Sequence, residues 1–154
     1  MSTDIPTEPC EDPTETIMAA VAHGMNGNRD TGILLLGTFL KDGPTPTVSM
    51  CAALANMVTV ATEQQNPGAR GTYGLVAYQN NAPINASAMS PGLRFASQFT
   101  AAWMNDQPQT AYALFNALCR TGKPDDAKNL ADGVHALYDM AVTSTQQWIK
   151  KTAT

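Results

Sequence analysis

The sequence predicts an all-α fold, a helical bundle of about six helices in one domain. Three observations predict it: apolar residues recur at helical spacing in six segments, capping residues or prolines precede these segments, and glycine or asparagine follows several of them. A chain of 154 residues has the length of a single domain and can bury one sizeable core. We therefore expect residues 12–154 to form one helical domain, preceded by a disordered acidic tail over residues 1–11.

The first predicted helix begins at Asp12, whose carboxylate can accept a backbone N–H, with Pro13 at the first helical position. The second, residues 30–41, is apolar nearly all round, because Ile, Leu or Phe occupies most of positions 33–40. Such a helix is expected to be buried on nearly all sides. We predict that it is the central helix and that it ends at Gly43, where a left-handed conformation is favoured.

Four further helices are predicted over residues 45–65, 90–105, 108–121 and 124–151. A capping residue followed by proline opens the third and fourth, and proline opens the fifth and sixth. The last has the most regular periodicity in the chain. The apolar stripes of these four helices are Met50, Leu54, Met57, Val58 and Ala61; Phe95, Phe99, Ala102 and Trp103; Ala111, Phe115, Leu118 and Cys119; and Leu130, Val134, Leu137, Ala141, Thr145 and Trp148.

The segment 66–89 between the third and fourth helices is rich in glycine, proline and asparagine. Loops of this length are uncommon inside a compact domain and are often functional. Either it wraps over the helices and buries three apolar or aromatic side chains, which we favour, or it forms a small hairpin. The candidate binding residues are Tyr73, Leu75 and Tyr78 of the wrap, Asn80 and Asn81 of the hairpin turn, and Trp103 of the fourth helix.

The chain also shows signs of an internal duplication. A shift of 79 residues places the first three helices over the last three with six identities in 32 positions, which include the Met-Asn turn between the first two helices and the glycine that ends the second helix. We predict pseudo-repeats over 12–65 and 90–151, joined by the loop 66–89. The second helix of each repeat, 30–41 and 108–121, should then be the most buried.

Charge is scarce and unevenly distributed. Charged residues make up 14% of the chain, against an average of about 25%, and residues 31–119 contain only six of them. Because interface cores are depleted in charge, we favour a homo-oligomer over a monomer covered by uncharged polar side chains. The net charge of −4 argues against a general binder of nucleic acid or of anionic membranes.

Three widely separated cysteines do not form a disulfide framework and fit a reducing compartment. The N-terminus lacks the basic and apolar run of a signal peptide, so we expect a cytoplasmic protein. Alanine is abundant while lysine and isoleucine are scarce, which is typical of a GC-rich genome and suggests a bacterial or phage protein.

No specific catalytic, cofactor or metal motif occurs, and no cofactor is expected. Asp132, His135 and Asp139 have a spacing that could hold a divalent ion, but a solvated helix face explains them better. Cys51 and His23 could act as nucleophile and base only if the fold brought them together, and we do not favour this.

These observations favour a small interaction or accessory protein that self-associates and binds another protein through its charge-poor middle and the loop 66–89. The alternative is a small-molecule-binding helical domain, in which Trp103, Trp148 and some of the eight methionines would line an apolar pocket. A metal-dependent enzyme centred on His135 is the third hypothesis.

Overall fold

The computed structural model of the chain describes residues 12–65, 67, 77–79, 82–85 and 88–152. The fold is all-α and bundle-like, as the sequence predicts. No helix in this described part is both long and apolar enough to span a bilayer. The described residues form the helices α1 (Pro13–Met25), α2 (Arg29–Lys41), α3 (Pro44–Gln65), α4 (Pro91–Met104), α5 (Pro108–Cys119) and α6 (Asp126–Thr152), with two short strands, β1 (Ala77–Gln79) and β2 (Ala82–Ile84), between α3 and α4.

The helix ends follow the local signals of the sequence. The Asp12 carboxylate accepts a hydrogen bond from the Thr14 backbone N–H at 3.0 Å, and Ser90 caps α4. Gly43 and Gly122 have positive φ angles of 106° and 73°, as expected of residues that end helices. The predicted disordered tail over residues 1–11 lies outside the described residues.

Helix α6 begins at Asp126, two residues later than the predicted start at Pro124. The Asp126 carboxylate accepts hydrogen bonds from the Thr121 hydroxyl and from the Gly122 backbone N–H. These bonds hold the intervening residues in a turn, so the helix starts only after them.

The central helix is α3, and the prediction that α2 is central was wrong. Met50, Cys51, Leu54 and Ala55 of α3 are fully inaccessible to solvent, whereas Leu34 of α2 is 76% exposed. Helix α2 buries only Gly32, Leu36 and Phe39. Helix α5 buries only Ala111 and Phe115, so the expectation that these two helices are the most buried was also wrong. Helix α3 is rich in Ala and Thr, and such small side chains let neighbouring helices approach it closely.

Tyr138 of α6 fastens that helix to the hairpin of α1 and α2. Its side chain is fully buried, and its hydroxyl donates to the Ala20 carbonyl at 2.7 Å. Gly24 and Gly32 leave room for the phenol, because a Cβ at either position would lie within 2.4 Å of its oxygen. Beside it, Arg29 donates to both carboxylate oxygens of Asp139 at 2.8 and 2.9 Å.

A second close approach joins α4 to α6. A Cβ at Gly92 would lie 2.8 Å from the backbone nitrogen of Gly133, and a Cβ at Gly133 would lie 2.8 Å from the Phe95 ring. The two helices therefore cross where neither has a side chain, and the Phe95 ring packs over the crossing.

The turns that join α1 to α2 and α4 to α5 have matching backbone geometry. Asn28 N–H donates to the His23 carbonyl at 2.7 Å, and Gln107 N–H, 79 residues later, donates to the Ala102 carbonyl at 2.8 Å. Gly27 and its counterpart Asp106 both have positive φ. This local likeness supports the predicted duplication at the two turns, and the repeat over the whole chain stays a prediction.

Strands β1 and β2 pair antiparallel within the segment 66–89, with Tyr78 opposite Pro83. This is the pairing that the hairpin alternative requires. The favoured alternative, in which Tyr73, Leu75 and Tyr78 are buried against the helices, concerns side chains outside the described residues.

Candidate interaction surface

A row of aromatic rings runs from the core to the surface along α4 and α5. The Phe95 and Phe99 rings are buried, with centroids 5.3 Å apart. Trp103 stacks on Phe99 at 6.3 Å, and Tyr112 meets the Trp103 ring edge-on, also at 6.3 Å. Trp103 is half-buried and Tyr112 is 40% exposed. These two rings form the solvent-facing end of the row.

A stripe of α3 next to this end carries no charge, and its residues are exposed except for Ala53, which is partly buried. No Asp, Glu, Lys or Arg occurs from Pro44 to Thr62, and the exposed positions recur at helical spacing. The indole N–H of Trp103 donates to the Asn56 side-chain oxygen at 3.5 Å, which connects the stripe to α4. We call the combined surface the uncharged face, and its residues are Thr45, Ser49, Ala53, Asn56, Val60, Trp103 and Tyr112.

A cleft of about 270 Å³ lies at one end of the uncharged face, between the start of α3 and α5. Val48, Tyr112 and Phe115 contribute apolar groups to its wall, and Arg120 lies on its rim. At the other end of the face, Glu63 follows Val60 along α3. None of the seven residues of the face is charged, and Arg120 and Glu63 lie towards its two ends.

Two larger clefts lie on other sides of the helices. One of about 500 Å³ is formed by α4, α5 and the start of α6, with Phe95 and Leu118 among its apolar residues. Another of about 440 Å³ lies between α3, α4 and α6. Both volumes are in the range of small-molecule sites, about 300–1,000 Å³. Neither cleft is lined by Trp103 or Trp148, the two residues that the small-molecule hypothesis placed in one pocket.

The candidate metal ligands are engaged in other contacts. Asp132 accepts from the Lys128 ammonium at 2.9 Å, and Asp139 is paired with Arg29. Positions 132 and 139 are seven residues apart on one helix, which separates their backbones by about 10 Å along its axis. Within the described part of the chain, no three His, Cys, Asp or Glu side chains are grouped so that they could hold one metal ion.

Cys51 is placed poorly for nucleophilic chemistry. Its side chain is fully buried, and this burial raises the pKa of its thiol to about 12. Because the thiolate is the reactive form, the folded protein keeps Cys51 inert near neutral pH. No hydrogen bond joins it to His23 among the described contacts, so the structure gives the proposed nucleophile and base no common site.

Of the candidate binding residues in the sequence, only Trp103 has a described side chain. Tyr73, Leu75, Asn80 and Asn81 lie outside the described residues, and Tyr78 is described only through its backbone pairing in β1. Sequence reasoning missed Tyr112 and the exposed stripe of α3. The signal was present, because residues 45–62, most of the predicted helix 45–65, contain no charged residue.

Comparison with known protein families, curated proteins and solved structures found no match for this chain. The class that the coordinates define is a small all-α protein, and its most distinctive surface is an uncharged face with a tryptophan and a tyrosine at its side.

Proposed function

We propose that this chain is a small helical interaction or accessory protein, which acts by binding protein and which associates with itself. The observation that carries this proposal is the uncharged face. Its defining residues include a half-buried tryptophan and an exposed tyrosine, and none of them is charged.

The composition of the uncharged face resembles that of protein interfaces. Interface cores are depleted in Lys, Glu and Asp and enriched in aromatic residues, and Trp and Tyr are frequent among residues that dominate binding energy. Trp103 is held by stacking on Phe99 and by its bond to Asn56. A side chain that is already fixed loses little conformational entropy when a partner binds.

The surroundings of the candidate catalytic and metal-binding groups favour a binding function over catalysis. The thiol of Cys51 is buried with a pKa raised to about 12, and the Asp139 carboxylate is neutralised by Arg29. The sparse cysteines favour a cytoplasmic setting, and the alanine-rich composition favours a bacterial or phage source.

The proposal can be tested by affinity capture with three immobilised forms of the protein. Wild type, Ser49→Glu on the uncharged face and Thr31→Glu on the exposed side of α2 would be compared, since the two variants add the same charge at different places. We expect one protein, identified by mass spectrometry, to bind wild type and Thr31→Glu and to be lost from Ser49→Glu. Equal capture by all three forms, or by none, would contradict binding through this face.

The loop 66–89 is tested separately, with a version that lacks residues 70–88. If the loop contributes to the same interface, this version should also lose the captured protein while its helices keep their thermal stability. Undiminished capture would restrict the interface to the helices.

A small-molecule site is the second candidate, and the cleft of about 500 Å³ favours it. Leu114 and Leu118 line this cleft, so Leu118→Arg would place a charge among its apolar groups. A library of apolar fragments screened by NMR should then shift the resonances of this cleft in wild type and not in the variant. A screen without such shifts would rule out this candidate.

A further inference from the structure

We propose that a second copy of this chain packs on the uncharged face, with the two α3 helices antiparallel about a two-fold axis near Ala53. This inference rests on the proposed self-association and specifies where it occurs, so that a second copy and a bound partner protein compete for the uncharged face. It commits to another copy as the occupant because the pattern of charge, size and shape along α3 is self-complementary.

Charge is the first reason. In a two-fold interface, residues close to the axis face their own copies, so a charged residue there would meet a like charge. Each chain also has a net charge of −4, which opposes association in general. A stripe without charge from Pro44 to Thr62 allows two copies to meet without bringing like charges together.

The small residues at the centre of the stripe are the second reason. Ala53 lies at its middle, and Ser49 lies one turn earlier. Small side chains let two helix backbones approach to the lower end of the usual interaxial distance, about 8 Å. Trp103 lies beside this centre and Tyr112 lies at the cleft next to it, and a close approach of the helices would bury their exposed edges.

Shape complementarity is the third reason. Val60 lies seven residues after Ala53, and it is an apolar side chain that is 37% exposed. Position 46, seven residues before Ala53, lies between Thr45 and Val48 at the cleft of about 270 Å³. An antiparallel arrangement about Ala53 therefore places Val60 of each copy over the cleft of the other.

The border charges fit the same arrangement. Glu63 lies ten residues beyond Ala53, about 15 Å along the helix axis, and Arg120 lies on the cleft at the opposite end. The two-fold axis brings the Glu63 carboxylate of each copy towards the Arg120 guanidinium of the other, so this approach occurs at two places in the dimer. A parallel pairing would instead place Glu63 of one copy near Glu63 of the other, and Arg120 near Arg120.

Sedimentation equilibrium over a wide concentration range tests the inference. We expect wild type to dimerise and Ser49→Glu to dimerise at least about thirtyfold more weakly, because each copy would bury an added carboxylate one helical turn from the axis without a cationic partner. Thr31→Glu carries the same charge on α2 and should dimerise as wild type does. Circular dichroism of each variant confirms that the helices are intact.

A charge exchange tests the antiparallel arrangement itself. Glu63→Lys and Arg120→Glu should each weaken the dimer roughly fivefold, because each reversal places like charges near each other at two symmetric points of the interface. The double variant Glu63→Lys with Arg120→Glu restores opposite charges and should return to within about twofold of wild type.

The possible failures can be told apart. A wild-type protein that is monomeric at every concentration would overturn the self-association and this inference with it. A wild-type dimer that Ser49→Glu leaves intact would overturn only the placement on the uncharged face. A dimer that Ser49→Glu breaks but the charge exchange does not restore would overturn the antiparallel arrangement.

Discussion

A single methyl group at Gly32 should weaken the packing of α6 against α1 and α2. A Cβ at this position would lie 2.0 Å from the Tyr138 hydroxyl oxygen and 2.5 Å from the Ala20 carbonyl oxygen. Real Cβ atoms essentially never come within 3.0 Å of such atoms. Since the Ala20 oxygen belongs to the backbone of α1, Gly32→Ala can be accommodated only if a helix moves.

Gly37 offers a matched control on the same helix. It is also inside α2, but a Cβ there would meet nothing within 4 Å. Gly37→Ala should therefore stabilise the protein by the helix preference of alanine, about 0.5–1 kcal/mol. Gly32→Ala gains the same preference and loses about 1–3 kcal/mol to overpacking, so this overpacking cost is the expected difference between the two variants.

We expect the difference to lie near 3 kcal/mol, because the closest contacts include backbone. For a domain of this size it would separate the two melting temperatures by roughly 6–12 °C. The assay is urea unfolding followed by circular dichroism, with thermal unfolding as a second measurement. Gly32→Ala and Gly37→Ala of equal stability would refute the packing described around Tyr138.

Tyr138→Phe adds a test of the mechanism. Alone it should cost about 1 kcal/mol, because the hydrogen bond to the Ala20 carbonyl is lost. Combined with Gly32→Ala it removes the atom that the new methyl group meets first. The double variant should therefore be less destabilised than the sum of the single variants, and simple additivity would mean that the hydroxyl is not the source of the conflict.

Two further predictions concern the ion pair and the thiols. Arg29→Ala should cost only about 0.2–1 kcal/mol, because both partners are about half exposed, and high salt should reduce this cost; a larger, salt-independent loss would contradict a surface pair. Burial raises the pKa of Cys51 from 9.0 to about 12, so its stabilising effect is complete below pH 9.0 and is lost as the pH rises from there towards 12. Unfolding in urea at a series of alkaline pH values should show that the free energy of unfolding falls, and Cys51→Ala should make the fall less steep. Burial also raises the pKa values of Cys119 and Tyr138, so these two groups lower the stability at alkaline pH in the same way. Cys10, the third cysteine of the chain, is replaced by serine so that only the other two thiols can react. A thiol reagent should then label the half-buried Cys119 of the folded protein well before Cys51, and the reverse order would contradict the described core.

Most of the secondary structure could be predicted from the sequence. The caps at Asp12 and Ser90 and the glycines at 43 and 122 act within a few residues of themselves, so local reading placed the helix ends to within about two residues, as is usual for such boundaries. The apolar stripe of α3 was also predicted correctly, and its members Met50, Leu54, Val58 and Ala61 are buried.

The arrangement of the helices was not predictable in the same way. Hydrophobicity alone favoured α2 as the centre, yet Leu34 is exposed and α3 occupies the core. The position of α6 depends on Tyr138, whose phenol fills a gap left by Gly24 and Gly32. The role of the two glycines can be recognised only when the position of the phenol is known, and the reverse is also true. Such a fit joins residues that are far apart in the chain, and no local periodicity records it.

For the candidate surface, too, some features follow from the sequence and others only from the tertiary structure. The sequence by itself determined that the chain is helical and that its middle lacks charge, because helical periodicity, capping and composition depend on neighbouring residues or on none. Only the tertiary structure decided that Trp103 and Tyr112 flank the uncharged stripe of α3 and that Arg120 lies at the cleft beside it. This arrangement depends on the packing of α3, α4 and α5 against one another, and packing is determined by the shapes of side chains from distant segments of the chain.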